Sequence, residues 1–208
     1  ILINHSRYGQ ASLGMLPEHV IAIPIIHSDQ ESIYKLACSN SIAWNVAIGV
    51  SKKLTDIAKR IVPEKPIQTI FHGVESPTNE LINNRIRLDG KIKLLFVGRI
   101  FHEAKGVFYL PEIVKLCINR GIDVSLTIVG DGDSIAILKN MIAKAEINDR
   151  VSILGLLSPN RAYEQMLSHH ILLMPSHFEG FGLVAVEAQA CGCVPIASML
   201  PGITDQTI

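Results

Sequence analysis

Short apolar, β-branched runs alternate with amphipathic stretches along almost the whole of this 208-residue chain. That alternation limits the fold more than any other feature. Val20 to Ile26 reads as a buried strand despite Pro24, and Ser28 or Asp29 can cap a helix running through about Ala37. Trp44 to Gly49 predicts the next strand. Ser51 then caps a helix with Leu54, Ile57, Ala58 and Ile61 at helical spacing, stopped by Pro63. Ile67 to Phe71 predicts a further short strand. Residues 74–90 are polar, carry Pro77 and several asparagines, and form the linker candidate.

A second alternating series follows. Lys91 to Val97 predicts a strand, and a helix is expected from about Gly106 to Arg120, with Gly121 as its stop. Asp123 to Val129 predicts a strand and about Ser134 to Glu146 a helix. Val151 to Leu154 predicts another strand. Ser158 and Pro159 supply an N-cap and a first-turn proline for a helix ending near Ser168. A strand from Ile171, a helix and a strand from Val194 complete the series. Strands alternating with helices imply right-handed βαβ units and parallel sheets, so the fold class is α/β.

Composition narrows function by exclusion. Lys plus Arg and Asp plus Glu balance at 19 each, so nothing argues for a nucleic-acid surface. The four cysteines form no Cys-x-x-Cys pair, and Cys191-Gly-Cys193 has no companion at zinc spacing; they read as small buried thiols. His169-His170 reads as a helix–strand junction rather than a metal site. No Asp-x-Asp or His-Glu-x-x-His motif occurs, so metal independence is expected. No apolar run reaches the roughly 18 residues of a membrane span, and no signal peptide is evident. The chain opens on Ile-Leu-Ile-Asn-His, like the inside of a strand. The closing segment, Pro201 to Ile208, stops where a new helix would be starting. A fragment lacking material at both ends is therefore expected.

In open parallel sheets, ligands bind beyond the carboxyl ends of the strands. Gly98 and Arg99 follow one strand, Gly130 a second, and Gly155 with Leu156 a third. The segment Pro175 to Ser198 follows a fourth. In it Glu179 and Glu187 flank a Gly180-Phe181-Gly182 turn that opens a helix at Leu183. A helix N-terminus beside such a turn offers unpaired N–H groups and a partial positive charge. Arg99 and Lys105 are anion partners, and Glu187, on a largely apolar helix, needs a polar partner such as a hydroxyl. The combination suits a ligand carrying both phosphates and hydroxyls.

These residues also resemble a known family. The two glutamates separated by seven residues are similar to the signature of family 4 retaining glycosyltransferases. Phe96-Val97-Gly98-Arg99 with Lys105-Gly106 resembles its diphosphate element. Ile128 to Gly132, Ala47 to Ser51 and Phe71 to Val74 resemble further stations in the family's order. Two departures stand out: His72 replaces a common asparagine, and Arg99 and Lys105 lie one residue further apart than usual. The resemblance implies a GT-B fold of two Rossmann-like domains with parallel sheets, both incomplete here. Residues 1–73 would belong to the acceptor-side domain, 74–90 to the linker and 91–208 to the nucleotide-sugar domain.

The resemblance further implies transfer of a sugar from a UDP- or GDP-sugar to a glycan or lipid-linked acceptor, with retention and without a cofactor. His27 and Glu179 would serve at the sugar, and Glu187 would hold the ribose. Gly98, Arg99, Lys105, Gly130, Leu156, Gly180, Phe181, Gly182 and Leu183 would complete the donor site. His5, ending the first strand, is left open as an acceptor-side residue. A cytoplasmic location is implied, with room for peripheral contact to the inner membrane face through sequence preceding residue 1. Three alternatives stay open: a nicotinamide-binding Rossmann protein, a related nucleotide-sugar epimerase, and a nucleotide-sugar-binding fragment without activity of its own. The nicotinamide reading lacks the third glycine of its motif after Gly130-Asp-Gly132.

Overall fold

The computed structural model describes residues 2–4, 9, 12–201 and 204; His5 and the final four residues lie outside them. Two compact units emerge. Among the described residues, one comprises those up to Gly73 with Phe178–Gly182 and those from Met199 on, the other Val74–His177 with Leu183–Ser198.

The first unit holds a parallel sheet in the order β1 (Leu2–Asn4), β2 (Ile23–Ile26), β3 (Ala47–Gly49), β4 (Ile67–Thr69). Helix α1 (Glu31–Cys38) joins β2 to β3, and α2 (Lys52–Ile61) joins β3 to β4. The Ser51 hydroxyl accepts from the Leu54 N–H and caps α2. The expected caps of α1 act elsewhere: Gln30 is the cap residue, and the Asp29 carboxylate pairs with Lys53 at 2.6 Å. The expected strand Trp44–Gly49 shortens to three residues, because residues 41–43 form a 3-10 turn and Trp44 is buried. Its indole N–H donates to the Ser39 carbonyl at 3.3 Å.

The second unit opens with α3 (Asn79–Asn83), a helical turn inside the polar stretch that read as linker; Thr78 caps it. Five parallel strands follow: β5 (Ile92–Val97), β6 (Val124–Val129), β7 (Val151–Gly155), β8 (Ile171–Met174) and β9 (Val194–Ala197). Their spatial order is β7-β6-β5-β8-β9. The chain thus runs outward from β5 on one side and returns to its other side at β8. Such a reversal opens a crevice at the carboxyl ends of the strands.

The helix expected from about Gly106 to Arg120 is α5 (Tyr109–Asn119), and a short helix, α4 (His102–Lys105), precedes it. Gly106, at φ +61°, ends α4 in the left-handed conformation that glycine adopts without a Cβ penalty. Helices α6 (Ile135–Lys144), α7 (Pro159–Leu167) and α8 (Leu183–Ala190) complete the unit.

Side chains alternate across the strands and so cover both faces of the sheet. Leu94, Phe96, Leu126 and Ile128 pack with Leu110 and Val114 of α5 and Leu138 and Ile142 of α6. Leu95, Val129 and Leu172 pack with Met166 of α7, Ala188 of α8, and Cys191 and Cys193. The near-continuous apolar strands follow from burial on two faces.

Candidate functional site

The carboxyl ends of β5 to β8 are tied together by backbone contacts. Val97 stands opposite Val129, so the loops after β5 and β6 leave the sheet side by side. A Cβ on Gly130 (φ +137°) would lie 1.8 Å from the Gly98 carbonyl oxygen, so only glycine fits there. The Gly130 N–H donates to the Gly155 carbonyl at 2.8 Å, which joins the loop after β7. Around this junction lies a cavity of about 540 Å³ whose lining includes Gly98, Arg99, Gly130, Asp131 and Leu156. Arg99 is exposed, and its guanidinium lies 5.0 Å from the centre of the Phe101 ring. Asp131 supplies the cavity's carboxylate, which accepts from the Gly132 N–H at 2.8 Å.

Lys105 ends α4 and is held near the fourth loop. The His177 N–H donates to the Ala104 carbonyl at 2.8 Å, and Gly106 packs against the Pro175 carbonyl, where a Cβ would come within 1.9 Å. A ring cluster supports this turn. His102 stacks on Phe108 at 4.1 Å, and the His177 ring meets the Tyr109 hydroxyl at 3.3 Å. Sequence reasoning missed this cluster, because it draws on two elements more than sixty residues apart.

Glu187 is half-buried on α8, and loss of hydration pushes its carboxyl above the usual range. It lines a separate cavity of about 600 Å³ with Glu75, Ser76, Pro159, Tyr163 and Glu164. Burial raises the pKa of the Tyr163 hydroxyl too, and the negative charges of Glu187 and Glu75 add to the effect. The lining is rich in acceptors and has no basic side chain among its described residues. Such a surface binds hydroxyl donors well. Glu187 stood out in the sequence by its apolar helix. Tyr163 and Glu75 gave no such signal.

Within the first unit, the Gly-Phe-Gly segment meets the residue that closes β2. Gly180 lies over the His27 carbonyl, where a Cβ would approach to 1.6 Å. Phe181 is buried, with its ring 5.4 Å from His72 and 5.9 Å from Phe71. His27 stacks on His72 at 5.6 Å and 15° between planes. Glu179 is half-buried beside Gly180 in sequence, and Gly182 immediately precedes the exposed Leu183 that begins α8. The structure thus gathers Gly98, Arg99, Gly130 and Leu156 at one cavity, sets Glu187 at another, and gathers His27, Gly180 and Phe181 in the first unit.

Of the paired histidines, His169 is structural. Both ring nitrogens of His169 are within bonding distance of partners, Gln165 O at 2.6 Å and Thr127 Oγ1 at 2.8 Å, and burial lowers its pKa. Among the described residues, no group of three or more His, Cys, Asp or Glu gathers at metal-binding distance. No helix there is long and apolar enough to cross a membrane.

The model for glycosyl transferases group 1 matches residues 78–208, and the chain belongs to that family. An uncharacterized glycosyltransferase of Methanocaldococcus jannaschii is 28% identical over 85% of this chain and 48% of its own length. A D-inositol 3-phosphate glycosyltransferase of Pseudarthrobacter chlorophenolicus is 36% identical over 55% of this chain and 28% of its own. The chain spans about half the length of the first of these and less of the second. Among solved structures, the sucrose-phosphate synthase of Thermosynechococcus elongatus superposes with a TM-score of 0.81 at 20% identity, covering 100% of this chain and 58% of that one. Anabaena HepE, solved with UDP and glucose, gives 0.76 at 17% identity, covering 98% and 60%. These likenesses establish the GT-B type of fold.

Proposed function

We propose that this chain carries the donor-binding part of an enzyme that moves a hexosyl group from a nucleoside-diphosphate sugar to a glycan or lipid-linked acceptor, with retention at the anomeric carbon. The observation that carries the reading is the fused rim. The loops after β5, β6 and β7 meet at Gly130, and the Lys105 turn is bonded to the loop after β8.

In this reading Arg99 and Lys105 bind the diphosphate. An arginine grips two oxygens at once, and each charge-assisted hydrogen bond contributes about 1.5–3 kcal/mol. The cavity bearing Gly130, Asp131 and Leu156 takes the rest of the nucleotide. Glu187 accepts the ribose hydroxyls. His27 and Glu179 act at the sugar, a role that rests on the family resemblance.

As the bond to the anomeric carbon breaks, negative charge builds on the departing diphosphate. Fixed cations stabilise it there without reorganising. The two glutamates bind and orient; they do not act as the acid and nucleophile of a glycosidase. The reading needs no metal or cofactor, because Arg99 and Lys105 supply the positive charge. It also allows action at the inner face of a membrane.

A thermal-shift panel of nucleotide sugars on the full-length protein, followed by product detection with the stabilising donor, tests the proposal. Stabilisation by one donor, with product of retained configuration, is expected. A protein indifferent to every nucleotide sugar would refute it. Stabilisation without transfer would favour a binding protein.

A further inference from the structure

At the opposite end of the second sheet, where β5, β8 and β9 begin, lies a cavity of about 600 Å³ that the proposed reaction does not use. Its lining includes Ile82, Arg85, Ile86, Arg87, His170 and Val194, and none of the described residues lining it is acidic. Two of these side chains present buried N–H groups that lack a partner.

His170 receives a hydrogen bond on Nδ1 from the Lys93 N–H at 2.9 Å. Nδ1 therefore carries no proton, and the neutral ring must carry its proton on Nε2. That Nε2 is buried and unpartnered among the described residues. Arg85 is in the same condition. Its Nη2 donates to the His169 carbonyl at 2.9 Å, and its Nε is buried without a partner. The guanidinium is held in place: Gly192 lies so close that a Cβ there would meet Arg85 Cδ at 3.0 Å and Nε at 3.2 Å. Arg87 adds a second, exposed charge.

Buried donors without partners are rare, and each calls for an acceptor. We infer that this cavity binds a phosphomonoester, with its oxygens on Arg85 Nε, His170 Nε2 and the Arg87 guanidinium. A phosphate fits better than a carboxylate, since its three free oxygens can meet donors from three residues. The apolar lining, Ile82, Ile86, Leu88 and Ile92, accepts an apolar group esterified to it. A small organic phosphate and a phosphatidic acid share this chemistry.

The inference is independent of the donor site and is tested separately. The probes are phenyl phosphate and dihexanoyl phosphatidic acid, titrated into full-length protein labelled with ¹⁵N-histidine. The His170 imidazole signal, assigned through His170→Gln, is the readout. Saturable movement of that signal is expected, with a preference for one probe identifying a small or a lipid source. Arg87→Ala, at an exposed position, should weaken the response about tenfold or more. Arg85→Lys keeps the charge, loses the Nε–H, and should weaken it too. Arg99→Ala should leave it unchanged. A His170 signal unmoved by both probes at tens of millimolar overturns the inference, as does a response abolished by Arg99→Ala but not by Arg87→Ala.

Discussion

The Gly130 α-carbon faces the Gly98 carbonyl so closely that an added Cβ would lie 1.8 Å from its oxygen. This contact fixes how the loops after β5 and β6 share one rim, and its consequences can be measured. At φ +137°, Gly130→Ala also forces a side chain into a backbone conformation that L-residues rarely adopt. Strain of this kind costs about 1–3 kcal/mol, before any shift needed to relieve the clash. Chemical denaturation should show a lower midpoint with little change in slope, together with weaker nucleoside-diphosphate binding. A midpoint equal to wild type would show that the two loops are not in contact.

Glu187 makes stability depend on pH. Burial raises its folded-state pKa above the ordinary value of 4.5. The folded state therefore binds the proton more readily than the unfolded state does. Stability rests on the protonated form, is fully present below pH of about 4.5, and is lost as pH rises through the higher folded value. Glu187→Gln removes that loss. Thermal melts should show the variant more stable than wild type at pH 7, with the gap closing as pH falls towards about 4.5. A gap independent of pH would mean that the carboxylate is well solvated. The same variant should bind nucleotide less tightly, because an amide accepts fewer hydroxyl protons than a carboxylate does.

Three thiols should be silent in the folded protein. Cys38, Cys191 and Cys193 are buried, and burial pushes their pKa values up to about 11, about 11 and about 12. A thiol reacts as its thiolate, so an aromatic disulfide reagent at pH 8 should label the native protein at the half-buried Cys117 and reach the other three only on unfolding. Rapid native labelling of Cys191 or Cys193 would show that the packing between the sheet and α8 is looser than described.

Much of the fold was legible because strands buried on two faces leave long apolar runs: Ile92–Val97, Val124–Val129 and Ile171–Met174 each stand within a residue of where their side chains place them. The caps at Ser51 and Ser158 were legible for a local reason, since each hydroxyl bonds an N–H three residues on. The short helix α4 ahead of α5 was not foreseen. It is a single turn, closed by Gly106, which bonds back to His102 and packs on Pro175. The strand at Ala47 was overdrawn because the apolar Trp44 is buried just after a 3-10 turn, outside the sheet.

The site divides in the same way. Arg99, Gly130 and Glu187 announce themselves by local pattern. The grouping of Tyr163 and Glu75 with Glu187 arises from three separate elements, and no local periodicity encodes it.

The most direct measurement is calorimetric. UDP and GDP, with uridine and guanosine as phosphate-free partners, are titrated into wild-type protein and Arg99→Ala. If the rim grips a diphosphate, the variant should lose about 1.5–3 kcal/mol with the preferred nucleoside diphosphate, roughly tenfold to a hundredfold in Kd, and almost nothing with its nucleoside. Equal losses for both, or no loss for either, would contradict the account.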